Sequence, residues 1–415
     1  MFEATRLAPI VGAVMLTLVA GCTTGRVDGV GAAAEINASI CPPEAKQPIT
    51  GDTIEVATSG PLSGSYAIIG QSALAIKAYF DMRNDAGGVQ TVDGPKKVDV
   101  KVYDDQAVPS KTQSAIQEAV EQDHIDATVG LFGGAANMVV APYLEKNCVA
   151  QAWHLTALEA IAHEYPFAAT LSTYSDEGQV LAKFLAEREP DAQVAVLVLN
   201  DDPGIESLEG FKEQAEELGI EVVAEETYEA TDTSVKSQMT TLAASGATVF
   251  LNLSVANVCT QAMNGVMQSS WRPTVYFNSL CNEVSLLAAP DAAKGLTVYR
   301  SQYLENPHAD TPAMQAYRDL MTENGLEVST TSLLGYNAAM MAEATFTNAA
   351  ELSRVGIAES ANNLPVDPPD GIGYLPYVRL HTKASGAALE AYAVGQWDLS
   401  TSSFANNLTE PIPVS

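Results

Sequence analysis

From residue 52 onward, short runs of apolar and β-branched residues alternate with longer stretches of helical period. Bounded by turn residues, the short runs predict strands at 53–59, 98–103, 127–131, 194–199, 221–226, 248–253 and 274–278. The stretches between them predict helices at 71–85, 111–122, 137–146, 177–187, 205–218, 235–244 and 259–269. Two further helices are predicted at 311–323 and 331–350, and strand-like pieces at 377–380 and 389–396 close the pattern. The run 194–199 is apolar at every position, as expected of a parallel strand covered by helices on both faces. Alternation of this kind gives an α/β fold with parallel sheets and crossover helices. The pattern restarts near 170–176, which predicts two similar Rossmann-like lobes.

The N-terminus reads differently. Arg6 precedes an apolar stretch from Leu7 to Ala20, shorter than the roughly 20 apolar residues that span a bilayer. Small residues then lead directly to Cys22, an ending that resembles the bacterial lipobox, in which the cysteine carries a diacylglycerol. The resemblance implies a lipoprotein signal peptide over 1–21, lipidation at Cys22 and attachment to the outer face of the cytoplasmic membrane. Two acyl chains anchor far more firmly than one. Residues 22–51 are rich in Gly, Ala, Thr and Pro without apolar periodicity and read as a flexible tether. The lipid is the one membrane contact expected.

A formal net charge of −30 excludes nucleic acid and anionic headgroups as natural partners. With Cys22 used for lipid, Cys41, Cys148, Cys259 and Cys281 remain, an even number for an oxidising compartment. Three connectivities exist; the expected one joins Cys259 to Cys281, just past successive predicted strands, and Cys41 to Cys148. No two cysteines stand at CxxC spacing and no histidine pair shares a helix face, so neither a metal nor a cofactor is expected.

Ligands of open parallel sheets bind beyond the carboxyl ends of the strands. After the first strand that rule selects Ser63 and Tyr66; after the third it selects Phe132, Gly133, Gly134 and Ala135. The small residues of the second group run into a helix, so their backbone N–H groups can approach an anion. The next loop offers Trp153, His154, Leu155 and Thr156. Trp153, Tyr66 and Phe132 supply a stacking wall, and replacing Trp153 by alanine is expected to weaken ligand binding while sparing the fold. The second half contributes Asp202, Ser254, Asn278 and Leu280. Asp104 and Asp105 are expected to hold turns.

Several segments in order, "GPLSGSYAIIGQ" at 60–71, "RNDAGGVQ" at 83–90, "VGLFGGAAN" at 129–137 and "AVLVLNDDPGIESLEGFKEQAEELG" at 195–219, resemble type I periplasmic binding proteins of the branched-chain amino acid class, which serve ABC transporters. The resemblance covers about 52–400. It implies two lobes joined by three crossings near 172–176, 300–306 and 372–378, and a cleft that closes on ligand. The first lobe would comprise 52–172 and 306–372, the second 173–305 and 373–400, with 401–415 a tail. It further implies a ligand carboxylate at Gly133–Ala136 and 153–156, ABC permease subunits as partners, and a monomer. The family's acidic ammonium-holding residue would fall near Leu280, which is apolar here; Glu283 replaces it only if it points inward. An apolar or aromatic carboxylate, or a neutral amide, therefore fits better than a leucine-like ligand. A sensor of the same fold, feeding a membrane receptor, shares every one of these features. Enzyme signatures are absent: there is no GxSxG, HExxH or P-loop, and the GxGxxA at Gly29 precedes the first strand.

Overall fold

The computed structural model describes residues 36–64, 66–156, 158, 166, 168–364, 373, 389, 391–405 and 410–414. The expected signal peptide, Cys22, the predicted strand at 377–380 and most of the expected third crossing lie outside the described residues.

The first lobe is built on strands β1 (Thr53–Gly60), β2 (Val89–Thr91), β3 (Gly94–Asp104), β4 (Ala127–Val129) and β5 (Ala150–Ala152), in the order β2-β3-β1-β4-β5. All neighbours are parallel except the β2–β3 hairpin, which the sequence reading did not separate from its flanks. Helices α1 (Gln71–Asp85), α2 (Pro109–Glu121) and α3 (Gly134–Asn147) follow β1, β3 and β4. Phe80 of α1 and Phe346 of a later helix meet in the core, their ring centroids 6.1 Å apart.

The second lobe begins with α4 (Tyr174–Arg188), then β6 (Gln193–Leu199), α5 (Asp202–Leu218), β7 (Glu221–Tyr228), α6 (Lys236–Ala244), β8 (Val249–Leu253), α7 (Asn257–Gln268) and β9 (Thr274–Phe277). Short helices α8 (Glu283–Leu287) and α9 (Pro290–Gly295) lead to β10 (Val298–Gln302). Strand periodicity divides the packing of β6 cleanly. Val194, Val196 and Val198 pack with Phe184 of α4 and Phe211 of α5, whereas Ala195 and Leu197 face Met239, Leu242 and Cys259 on the other side.

The chain then returns to the first lobe for α10 (Pro312–Glu323), α11 (Thr330–Asn348) and α12 (Arg354–Asn362). It ends in the second sheet with β11 (Ala391–Asp398), β12 (Ser403–Phe404) and β13 (Ile412–Pro413), giving the order β12-β11-β10-β9-β8-β6-β7 with β13 on β11. Residues 401–405 and 410–414 are thus bound to the second lobe and do not form a free tail. Gln302 Nε2 donates to the Ala405 carbonyl (2.9 Å) and Asn306 Nδ2 to Ser403 Oγ (3.0 Å).

The tether expectation is also corrected from residue 36. A short 3-10 turn, Pro43–Lys46, buries Ala45, the Ile49 N–H donates to the Leu352 carbonyl, and Cys41 is bonded to Cys148 at the end of α3. Composition alone does not reveal this, because one covalent bond and one buried alanine suffice to dock the segment. The second disulfide joins Cys259 of α7 to Cys281. Among the described residues no helix is long and apolar enough to cross a membrane.

Candidate functional site

In each sheet the strand order reverses at the lobe's first strand: β1 lies between β3 and β4, and β6 between β7 and β8. Connections leaving such a point diverge and open a crevice at the carboxyl ends. The two crevices face each other across a cavity of about 200 Å³. From the first lobe, Tyr66, Ile68 and Ile69 line it after β1, and Phe132 with Gly133–Ala136 after β4. From the second, Leu199 and Asp201 line it after β6, Leu253, Val255 and Ala256 after β8, and Asn278 and Leu280 after β9. Thr330, Thr331 and Leu334 at the start of α11 complete the wall.

The lobes touch directly at the rim. Tyr66 Oη donates to the Ala230 carbonyl at 3.5 Å. A Cβ built on Gly134 would stand 3.0 Å from Cγ of Pro203 in the second lobe and 2.5 Å from Leu158 Cδ1. Gly133, which precedes α3, has φ +91°, a backbone that glycine adopts without steric cost. Together the pair presents the first-turn N–H groups of α3, which have no acceptor within the helix, to the cavity.

Two residues at the crossings reach the same space. Tyr174 opens α4 just after the first crossing; its hydroxyl lies 3.3 Å from Thr156 Oγ1 and its N–H donates to Glu206 Oε1. Tyr303 follows β10, and its ring meets Tyr392 edge-on at 5.6 Å. Ser172 Oγ donates to the Tyr392 hydroxyl (2.9 Å), so the first crossing and β11 are stitched together.

Of the residues the sequence selects, Tyr66, Phe132, Gly133, Gly134, Ala135, Asn278 and Leu280 line the cavity. The others do not. Ser63 turns away and donates to Asp104 Oδ2 at 2.6 Å, while Asp105 accepts from Ser59 and Thr112. Trp153 is buried in the core of the first lobe, with its Nε1 donating to Thr345 Oγ1 at 2.8 Å. His154 is fully buried with Nε2 3.0 Å from Thr128 Oγ1, and burial lowers its pKa to about 3, so it is neutral. Leu155 bridges to Phe132 inside the lobe, and Thr156 contributes only through Tyr174. Ser254 is buried behind Asn278, whose Nδ2 donates to the Ser254 carbonyl. Glu283 points to Arg300 and Thr330 rather than inward.

The acidic pair is resolved in favour of the other member. Asp202 is exposed at the first position of α5, while Asp201, its N-cap, lines the cavity and accepts from the Gly204 N–H at 2.9 Å. Asp-Asp-Pro-Gly leaves the cap register open by one residue, and that register decides which carboxylate faces in. Among the described lining residues Asp201 is the one carrying a full formal charge, and none is cationic.

Burial pushes Asp201 up to about 6, with the charge of Asp202 adding to it and the Gly204 N–H opposing. A raised pKa means the folded chain holds this proton more tightly than the unfolded one. The stability Asp201 contributes is therefore full below about pH 4 and lost as pH rises through about 6. Asp126 shares this direction. The expected result is that the difference in urea midpoint between wild type and Asp201→Asn changes across pH 4–6 and is constant above pH 7. A constant difference throughout would mean that Asp201 is solvated.

A profile described as periplasmic binding protein matches residues 53–403. A leucine-, isoleucine-, valine-, threonine- and alanine-binding protein of Pseudomonas aeruginosa is 28% identical over 199 residues, 47% of this chain and 52% of that protein. The match therefore spans about half of that relative's length. A branched-chain amino acid ABC transporter protein of Thermus thermophilus, solved with valine, superposes with a TM-score of 0.77 at 16% identity, covering 88% of this chain and 97% of that one. An ABC transporter solute-binding protein of R. palustris, solved with benzoate, gives 0.72 at 13% identity, covering 87% and 96%. At these identities the superpositions speak for the fold. The profile, however, runs from β1 to β12 and takes in both halves of the cleft: the chain belongs to the periplasmic binding protein family, extracytoplasmic binders of solutes rather than enzymes.

Proposed function

We propose that the chain is the solute receptor of an ABC importer, held by lipid at Cys22 to the outer face of the cytoplasmic membrane, and that it delivers its ligand to permease subunits. The ligand is a compact molecule with an apolar or aromatic body. Its carboxylate lies against the first turn of α3, and an ammonium or amide N–H faces Asp201. The observation that carries this reading is the pairing of donors and acceptor across one apolar cavity: free N–H groups at Gly134–Ala136 on one lobe, the Asp201 carboxylate on the other. A helix N-terminus favours an anion, and a buried carboxylate favours a donor. The supply of an acid at Asp201 brings amino acids back among the candidates that Leu280 alone disfavours. The ligands named for the Thermus thermophilus and R. palustris proteins, valine and benzoate, are both small carboxylates.

The test is a thermal-shift screen of the purified protein against valine, leucine, phenylalanine, phenylacetate, benzoate and their amides. A ligand at 100-fold its Kd adds about 2.7 kcal/mol of stability. Stabilisation by at least one carboxylate is expected. No shift with any of the panel would overturn the proposed ligand class.

A further inference from the structure

At the edge of the cavity, the second lobe holds a buried ion pair whose acid reaches across to the first. Glu283, at the first position of α8, lies with Oε2 3.2 Å from Arg300 Nη1, and both side chains are less than one-tenth exposed. The same carboxylate accepts from the Thr330 N–H (3.1 Å) and from Thr330 Oγ1 (3.0 and 2.7 Å). Thr330 is the first residue of α11, a helix of the first lobe, so its N–H has no acceptor inside the helix. Arg300 is fixed from behind. It lies within 3.5 Å of Gln302 Oε1, and its guanidinium sits 4.5 Å over the Phe404 ring.

We propose that Glu283 is a positioning residue for closure: a charged plug, anchored in one lobe by Arg300, that caps a helix of the other and favours the shut cleft before any ligand arrives. A buried ion pair by itself is weak evidence of stabilisation, because desolvation offsets attraction. Here the pair stays within one lobe whether or not the lobes part. What changes on parting is the set of Thr330 donors, which carry the charge-assisted bonds and the favourable end of the α11 dipole. Neighbouring Asn282 and Thr330 itself line the ligand cavity, so the plug sits at its edge. A ligand then adds to an equilibrium already biased toward closure, and less of its binding energy goes into moving the lobes. The inference rests on the two-lobe family fold and not on the identity of the ligand.

The experiment uses the whole protein without ligand. Small-angle scattering is compared for wild type, Glu283→Gln, Thr330→Val and the double variant, with near-ultraviolet circular dichroism as the check of folding. Thr330→Val keeps side-chain shape and leaves Arg300 and Glu283 paired. Wild type is expected to scatter as the shut form. Glu283→Gln is expected to lower the shut-to-open ratio about tenfold, the equivalent of roughly 1.4 kcal/mol, and to raise the radius of gyration accordingly. Thr330→Val should move in the same direction by less, and the double variant no further than Glu283→Gln alone. The proposal fails if none of the variants opens, or if Glu283→Gln opens while Thr330→Val scatters as wild type, since Glu283 would then act through Arg300 alone. Failure of the ligand screen would leave these profiles unchanged, so the two readings fail separately.

Discussion

Replacing Trp153 by alanine should lower the unfolding free energy by about 3–5 kcal/mol, the range for removing a large buried aromatic. The side chain is only 3% exposed and sits among the core residues of the first lobe. Its Nε1 bond to Thr345 Oγ1 ties the loop after β5 to α11, so truncation opens a cavity and removes a buried hydrogen bond, leaving the Thr345 hydroxyl its bond to the Met341 carbonyl. The residue occupies the left-handed region, φ +53°, unusual for a bulky side chain, which indicates that packing holds the backbone there. Urea denaturation at neutral pH measures the effect. A loss under about 1 kcal/mol, with ligand binding abolished, would return Trp153 to the cleft where the sequence placed it.

Replacing Gly134 by valine is expected to weaken ligand binding about 5- to 150-fold. A Cβ there meets Pro203 Cγ at 3.0 Å across the rim, and the proline ring is stiff. Leu158, buried beside it with Cδ1 at 2.5 Å and Cγ at 3.1 Å, must shift as well. Overpacking of this order costs about 1–3 kcal/mol, charged against the closed arrangement because the open one separates Pro203 from α3. Calorimetric titration with the tightest binder of the panel reads it. An unchanged affinity would mean that the ligand is held with the lobes apart.

How much of this was legible depends on how local the determining interaction is. Strand-end loops followed from periodicity and topology, which is why Gly133, Gly134, Ala135, Asn278 and Leu280 were found. Residues 153–155 were misplaced because two single bridges, Phe132 to Leu155 and His154 to Ala169, pull them into the sheet and turn their side chains inward. A segment that short carries no readable period. β10 was missed for the opposite reason: its Arg300, Ser301 and Gln302 look like a surface loop, yet all three are buried. Their partners, among them Glu283, Glu177 and the Ala405 carbonyl, lie up to 124 residues away. Tyr174 and Tyr303 belong to the crossings, whose approach depends on contacts with β11 that only the assembled chain creates.

The bond from Cys41 to Cys148 also decides how the molecule responds to a pull. Tension applied ahead of residue 41 passes through the sulfur atoms into the end of α3, hence into the first lobe alone. The other lobe feels it through the crossings and through the bonds between the lobes, so such a pull does not act directly across the cleft.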